Sequence, residues 1–138
     1  MLGLGAGGVL LVVLVIAFRP VARSGAIVYA QQNLRTVAEV AERVGLEEGS
    51  LSLATRERLA DEPELGDILL IDPDQGSNDP EVVSVLATDA AWTGTTRAET
   101  GECFWIRIEP QGRIVRGTGT DCSAEGASAA EPGAWPEP

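Results

Sequence analysis

SGAIVYAQQNLRTVAEVAERVG, residues 24–45, sets Ile27, Ala30, Leu34, Val37, Ala41 and Val44 at alternating steps of three and four. That spacing draws one apolar stripe down an α-helix. Gln31, Gln32, Arg35, Glu39, Glu42 and Arg43 fall largely away from the stripe. Glu39 and Arg43 form an i, i+4 pair worth only ~0.3 kcal/mol. Gly45 stands where a helix C-cap is expected. The stretch reads as an amphipathic helix lying against a globular head, and the rest of the chain is placed around it.

Upstream, Leu2 to Phe18 is a run of 17 residues without a charge. As a helix it spans about 25 Å, a little short of the ~30 Å hydrocarbon core of a bilayer. Pro20, Val21 and Ala22, with Arg19 snorkelling, make up the difference. Residues 1–22 therefore read as a transmembrane helix, with membrane lipid as the first partner. A signal peptide carries basic residues before its apolar run, whereas here Arg19 and Arg23 follow it. Taken alone, the positive-inside rule puts the C-terminal side in the cytoplasm. The cysteine pair and the acidic body favour the outside. The expected location is the cell membrane, single-pass, with the C-terminal domain extracytoplasmic. Nothing between Phe18 and Ala26 demands a loop, so the two halves are expected to form one long helix.

Downstream of Gly45, Ser52 opens a shorter helix expected over residues 52–61, ending near Pro63. From Asp67 the period changes to that of strands. Runs at 67–71, 81–87, 91–96, 102–109 and 113–117 are bounded by turn formers, and Glu109-Pro110-Gln111-Gly112 reads as a hairpin turn. Helix first and a meander of strands after it is an α+β pattern: a long N-terminal helix packed on a small antiparallel β-sheet spanning 67–117. The head is expected over 23–122. Residues 123–138 are rich in Ala, Gly, Ser, Glu and Pro and read as a disordered tail.

The net charge of −11 is unevenly spread. Residues 1–44 carry four Arg and two Glu, whereas the other 94 residues carry six Arg and 19 acids. Such an acidic body repels phosphate, so no nucleic acid partner is expected. The chain has no His and two Cys, which removes His-based triads, His-ligated zinc and four-Cys zinc sites. No catalytic residues, cofactor, metal or small-molecule substrate are expected, and the chain does not read as an enzyme.

Three motifs carry some chemistry. Gly3-Leu4-Gly5-Ala6-Gly7-Gly8 matches G-x-G-x-x-G, but no strand precedes it and the first acid in the chain is Glu39. Dinucleotide binding needs both. Gly3 and Gly7 also form a small-xxx-small pair, which lets membrane helices approach closely. Cys103 and Cys122 flank the last expected hairpin. They are either a disulfide, worth ~3 kcal/mol to a marginal domain, or two buried thiols. A nucleophilic role has no His to support it. Residues 72–81 are dense in oxygen ligands but depart from an EF-hand at Gly76 and Val83. An acidic solvated loop is the default reading there.

The amphipathic Ala30-Gln31-Gln32-Asn33-Leu34-Arg35-Thr36-Val37-Ala38 is followed by Val82-Val83-Ser84-Val85-Leu86-Ala87 and Ala90-Ala91-Trp92. Next come Thr100-Gly101-Glu102-Cys103-Phe104-Trp105-Ile106-Arg107 and Gly117-Thr118-Gly119-Thr120-Asp121-Cys122. In this order they resemble the type IV pilin-like family of bacteria, especially the short pilins of Gram-positive, high-GC lineages. The resemblance implies an N-terminal helix packed on an antiparallel sheet, assembly with like or related pilin subunits through that helix, and a disulfide at Cys103 and Cys122. Pro20 sits roughly where the family's helix has its proline, while the family's early helix glutamate has no counterpart before Glu39. The function so implied is a non-catalytic subunit of a type IV pilus or type II secretion-like filament of the cell envelope. The alternative is a single-pass, membrane-anchored extracytoplasmic binding module outside any filament.

Overall fold

Helix α1 runs without a break over Leu2–Glu48, 47 residues or about 70 Å of helix. The computed structural model describes the backbone of residues 2–136 and the side chains of residues 24–136. The segment 1–22, expected to cross a membrane, and the pair Gly3 and Gly7 lie outside the residues whose side chains are described. Among the described residues no helix is long and apolar enough to cross a membrane.

Ile27, Ala30, Leu34, Val37, Ala41 and Val44 are all buried, each at 5% exposure or less. The helix extends one turn past the expected stop. Gly49, at φ +94°, is the terminator, and its N–H donates to the Gly45 carbonyl at 2.9 Å. A left-handed residue at that position closes the last turn, and glycine reaches it without a Cβ clash. Gly45 has a different task. A Cβ there would lie 2.9 Å from Leu51 Cδ2, so its missing side chain lets the chain fold back tightly over the helix.

After α1 the expected helix over 52–61 is replaced by two shorter pieces, a 3₁₀ turn at Leu51–Leu53 and a one-turn helix α2 at Arg56–Leu59. Two competing caps cause the break. The Ser50 hydroxyl accepts from Ser52 N–H and the Thr55 hydroxyl from Arg58 N–H, so each starts its own turn. A second 3₁₀ turn, Pro63–Leu65, leads into the sheet.

The five strands are β1 (Leu69–Ile71), β2 (Val82–Ala87), β3 (Trp92–Arg97), β4 (Cys103–Ile108) and β5 (Ile114–Gly119), and they lie side by side in chain order. The sheet is mixed, which corrects the expected all-antiparallel arrangement. β2 to β5 are antiparallel, whereas β1 pairs with β2 in parallel, Leu70 opposite Val83. The 72–81 loop is long enough to return the chain to the start of a three-residue neighbour, and that makes the parallel pair feasible.

Alternation along the strands sorts the two faces. Val83, Val85, Trp92, Phe104, Ile106 and Ile108 join the buried stripe of α1 in the main core. Trp105 and Val115 face the other way and are covered by Ala127 and Ala130. Two glycines make room for the large rings: a Cβ on Gly94 would lie 2.6 Å from Trp92 Cη2, and one on Gly117 would lie 2.5 Å from Trp105 Cζ2. Each indole therefore lies flat over a strand instead of standing off it.

The sequence after Cys122, read as a disordered tail, is ordered through Pro136. Helix α3 (Ala124–Ala127) packs on the second face of the sheet, capped by the Ser123 hydroxyl. Trp135 is only 6% exposed. A low-complexity composition lacks apolar side chains to bury, but one tryptophan with a prepared seat outweighs that average.

Candidate functional site

The described residues present a strap and a seat. The strap comprises residues 123–136. It leaves the second face of the sheet, passes the β5 edge and ends against α1. Its root is fixed by several bonds. Cys103 and Cys122 are joined, with Cα atoms 5.2 Å apart. The Cys122 carbonyl accepts from Ser77 N–H at 3.0 Å, and Ala124 N–H donates to the Ser84 hydroxyl at 2.9 Å. Glu125 N–H donates to the Pro73 carbonyl at 2.9 Å. The Asp121 carboxylate accepts from both the hydroxyl and the N–H of Ser123, which holds its pKa below the usual range.

Arg107 rivets the middle. Its guanidinium donates to the carbonyls of Ala127, Ser128 and Ala130 at 3.3, 3.1 and 3.1 Å and lies 4.9 Å from the Trp105 ring centre. A planar guanidinium suits this work, since it donates in several directions while stacking on an aromatic face.

The tip is the indole of Trp135. It meets Phe104 edge-to-face at 5.8 Å, and Arg35 and Arg116 sit 5.2 and 5.0 Å from its ring centre. Trp135 Nε1–H donates to the Gly117 carbonyl at 2.9 Å, and Gly133 N–H donates to the Arg116 carbonyl at 2.9 Å. Gln31, buried on α1, donates to the Pro136 carbonyl at 3.2 Å. Beside the indole a groove of about 220 Å3 continues between α1 and β5, floored by Ala38, Ile106 and Ile114 and rimmed by Glu39 and Glu42.

At the other end of the head, ion pairs clamp α1 to the segment after it. Arg43 reaches Glu62 at 2.9 Å and Glu64 at 3.0 Å, and Arg58 reaches Glu62 at 2.7 Å and Glu48 at 3.2 Å. Hydrogen bonds from Arg43 and then Arg58 lower the Glu62 pKa to about 2. Arg58 also offsets the acidic end of α1, where Glu47 and Glu48 face the negative pole of the helix.

In the oxygen-rich 72–81 loop, three of the four carboxylates are engaged by groups of the protein itself. Asp72 pairs with Arg56 at 2.8 Å, Asp79 accepts from Glu81 N–H at 2.8 Å, and Glu81 accepts from the Tyr29 hydroxyl. Among the described residues no group of three or more His, Cys, Asp and Glu is placed to hold a metal ion.

The apolar stripe of α1 is thus consumed by the head's own core, and the two cysteines meet. The seat of Trp135 escaped the sequence reading. Its one visible signal was a tryptophan between Ala134 and Pro136, isolated in a tail otherwise poor in large apolar residues. No family model, curated protein or solved structure matches this chain.

Proposed function

We propose that the protein is a pilin-like, non-catalytic structural subunit that assembles with like or related copies in the cell envelope. It is held in the membrane by the apolar start of α1, with the acidic head outside the cytoplasm. One observation carries this reading: a single helix, Leu2–Glu48, whose latter half from Ile27 is buried against a disulfide-closed sheet. Its uncharged first part, Leu2 to Phe18, then becomes the natural surface for lipid and for neighbouring helices.

Packing side by side would depend on small residues, so Gly3→Leu and Gly7→Leu should weaken assembly without unfolding the head. Native purification from membranes tests the reading. Related subunits should co-purify with the wild type and be lost with the double variant. Recovery of the wild type as monomers alone would sink the proposal. A lone membrane-anchored binding module is the second reading, favoured by the furrow beside Trp135. It expects binding to a partner that survives both glycine substitutions. Proteolysis of intact cells tests the placement of the head, which should be cut from outside.

A further inference from the structure

The strap is held in two unequal ways. Its root is closed by the Cys103–Cys122 bridge and anchored to the 72–84 segment. Its tip is held by three hydrogen bonds and the Trp135 ring. Between the last carbonyl that Arg107 binds, at Ala130, and the first bond to β5, at Gly133, lie Glu131 and Pro132, both exposed. Residues from Glu131 onward can lift away while the root, α3 and the sheet stay as they are.

We propose that the seat formed by Gln31, Arg35, Phe104, Arg116 and Gly117 also receives Trp135 of a second copy, in reciprocal exchange of the strap tips. All five seat residues belong to α1 and the sheet and none to the strap, so each copy presents the whole seat. Exchange of an identical element re-forms every contact of the closed state, which makes it a low-cost route to a dimer.

Charge fits the occupant. The described tip, residues 131–136, carries Glu131 and no basic residue, and the seat offers Arg35 and Arg116. Geometry fits as well. Gly133 N–H meets the Arg116 carbonyl on the free side of β5 in a single main-chain bond, and an edge strand accepts such a bond from any chain. The adjoining furrow, with Ile114 at its floor and 56% exposed, gives an incoming chain an open approach. A strap in cis competes at an effective concentration of roughly millimolar, so exchange belongs to crowded copies and not to dilute ones. The proposal stands apart from the pilin-like reading, because it uses the head alone.

Full-length chain in detergent, mixed from isotope-labelled and unlabelled populations, provides the test. Isotope-filtered NMR should show contacts between the Trp135 indole of one chain and Phe104 of another, their intensity rising roughly in proportion to concentration up to the millimolar range. Trp135→Ala should abolish these contacts. Mixing Trp135→Ala chains with Arg35→Ala/Arg116→Ala chains should restore tip-to-seat contact in the one direction still possible. Trp135–Phe104 contacts confined to single chains at millimolar concentration would overturn the proposal, as would association in which the only intermolecular contacts come from α1. The wild-type measurement decides the matter alone if a variant fails to fold.

Discussion

Replacing Gly94 by Ala tests how closely the Trp92 ring is fitted to β3. On propensity alone the change should help, because glycine within a strand costs ~0.5–1 kcal/mol relative to alanine. The packing says otherwise. The new Cβ would lie 2.6 Å from Trp92 Cη2 and 3.3 Å from Leu34 Cδ1, where carbon atoms prefer about 3.5–4.0 Å. The ring has nowhere to go: Trp92 is fully buried and its Nε1–H donates to the Ala54 carbonyl at 3.2 Å. Overpacking of this kind costs about 1–3 kcal/mol, and a clash of about 1 Å against an immobile ring belongs at the upper end. After the propensity gain, a net loss of about 2 kcal/mol remains. With a urea m-value of ~1.5–2 kcal/mol/M the midpoint should fall by about 1 M. Gly25→Ala is the control, since Gly25 is a helical glycine with open space around it, and it should raise stability by ~0.5–1 kcal/mol. A neutral or stabilising Gly94→Ala would refute the claim that Trp92 is pinned over this strand.

Reduction of the Cys103–Cys122 bridge, which joins residues 19 apart, should lower stability by ~3 kcal/mol in urea titrations with and without reductant; a loss below ~1 kcal/mol would speak against the chain-entropy account. Glu62, with its pKa lowered from 4.5 to about 2, contributes stability that is present above pH 4.5 and lost as pH falls from there towards 2. Glu62→Gln should flatten the midpoint-versus-pH curve in that window, and an unchanged slope would place the acid sensitivity elsewhere. Arg107→Met keeps the aliphatic stem but takes the side-chain donor from three carbonyls, of which only Ala127 keeps another, the Ala130 N–H, a change of about 2 kcal/mol in the opening of the 127–130 segment. Amide exchange at Ser128 and Ala130 should then quicken ~30-fold while Gly133 and the central strands keep their protection, and uniform acceleration throughout would mean that this part of the strap does not open locally.

Much of this architecture was legible in the chain because two periodicities are hard to mistake. The three-four spacing of Ile27, Ala30, Leu34, Val37, Ala41 and Val44 announced the buried face of α1, and runs such as Val82–Ala87 and Cys103–Ile108 announced strands. A period of two says nothing about strand direction, so the parallel pairing of Leu69–Ile71 with β2 was hidden. Thr55 falls inside the helix expected over 52–61, yet it caps a turn of its own, just as Ser50 caps the turn before it. The strap was the largest gap. Its seat comes from Gln31, Arg35, Phe104, Arg116 and Gly117, residues 18 to 104 positions before Trp135, and no local window contains both the indole and what receives it.

The Cys103–Cys122 bridge also decides how the chain would carry a mechanical load. It joins the start of β4 to the residue three positions past the end of β5, so the final hairpin hangs as a closed loop beside the path of force from α1 to the strap. Tension along the chain enters at Cys103, crosses the two sulfurs and leaves at Cys122, spanning 5.2 Å between Cα atoms where the unbridged segment would pay out about 65 Å. The oxidised protein is therefore shorter at full extension by about 60 Å, and β4 and β5 stay paired after the rest of the sheet has been pulled apart.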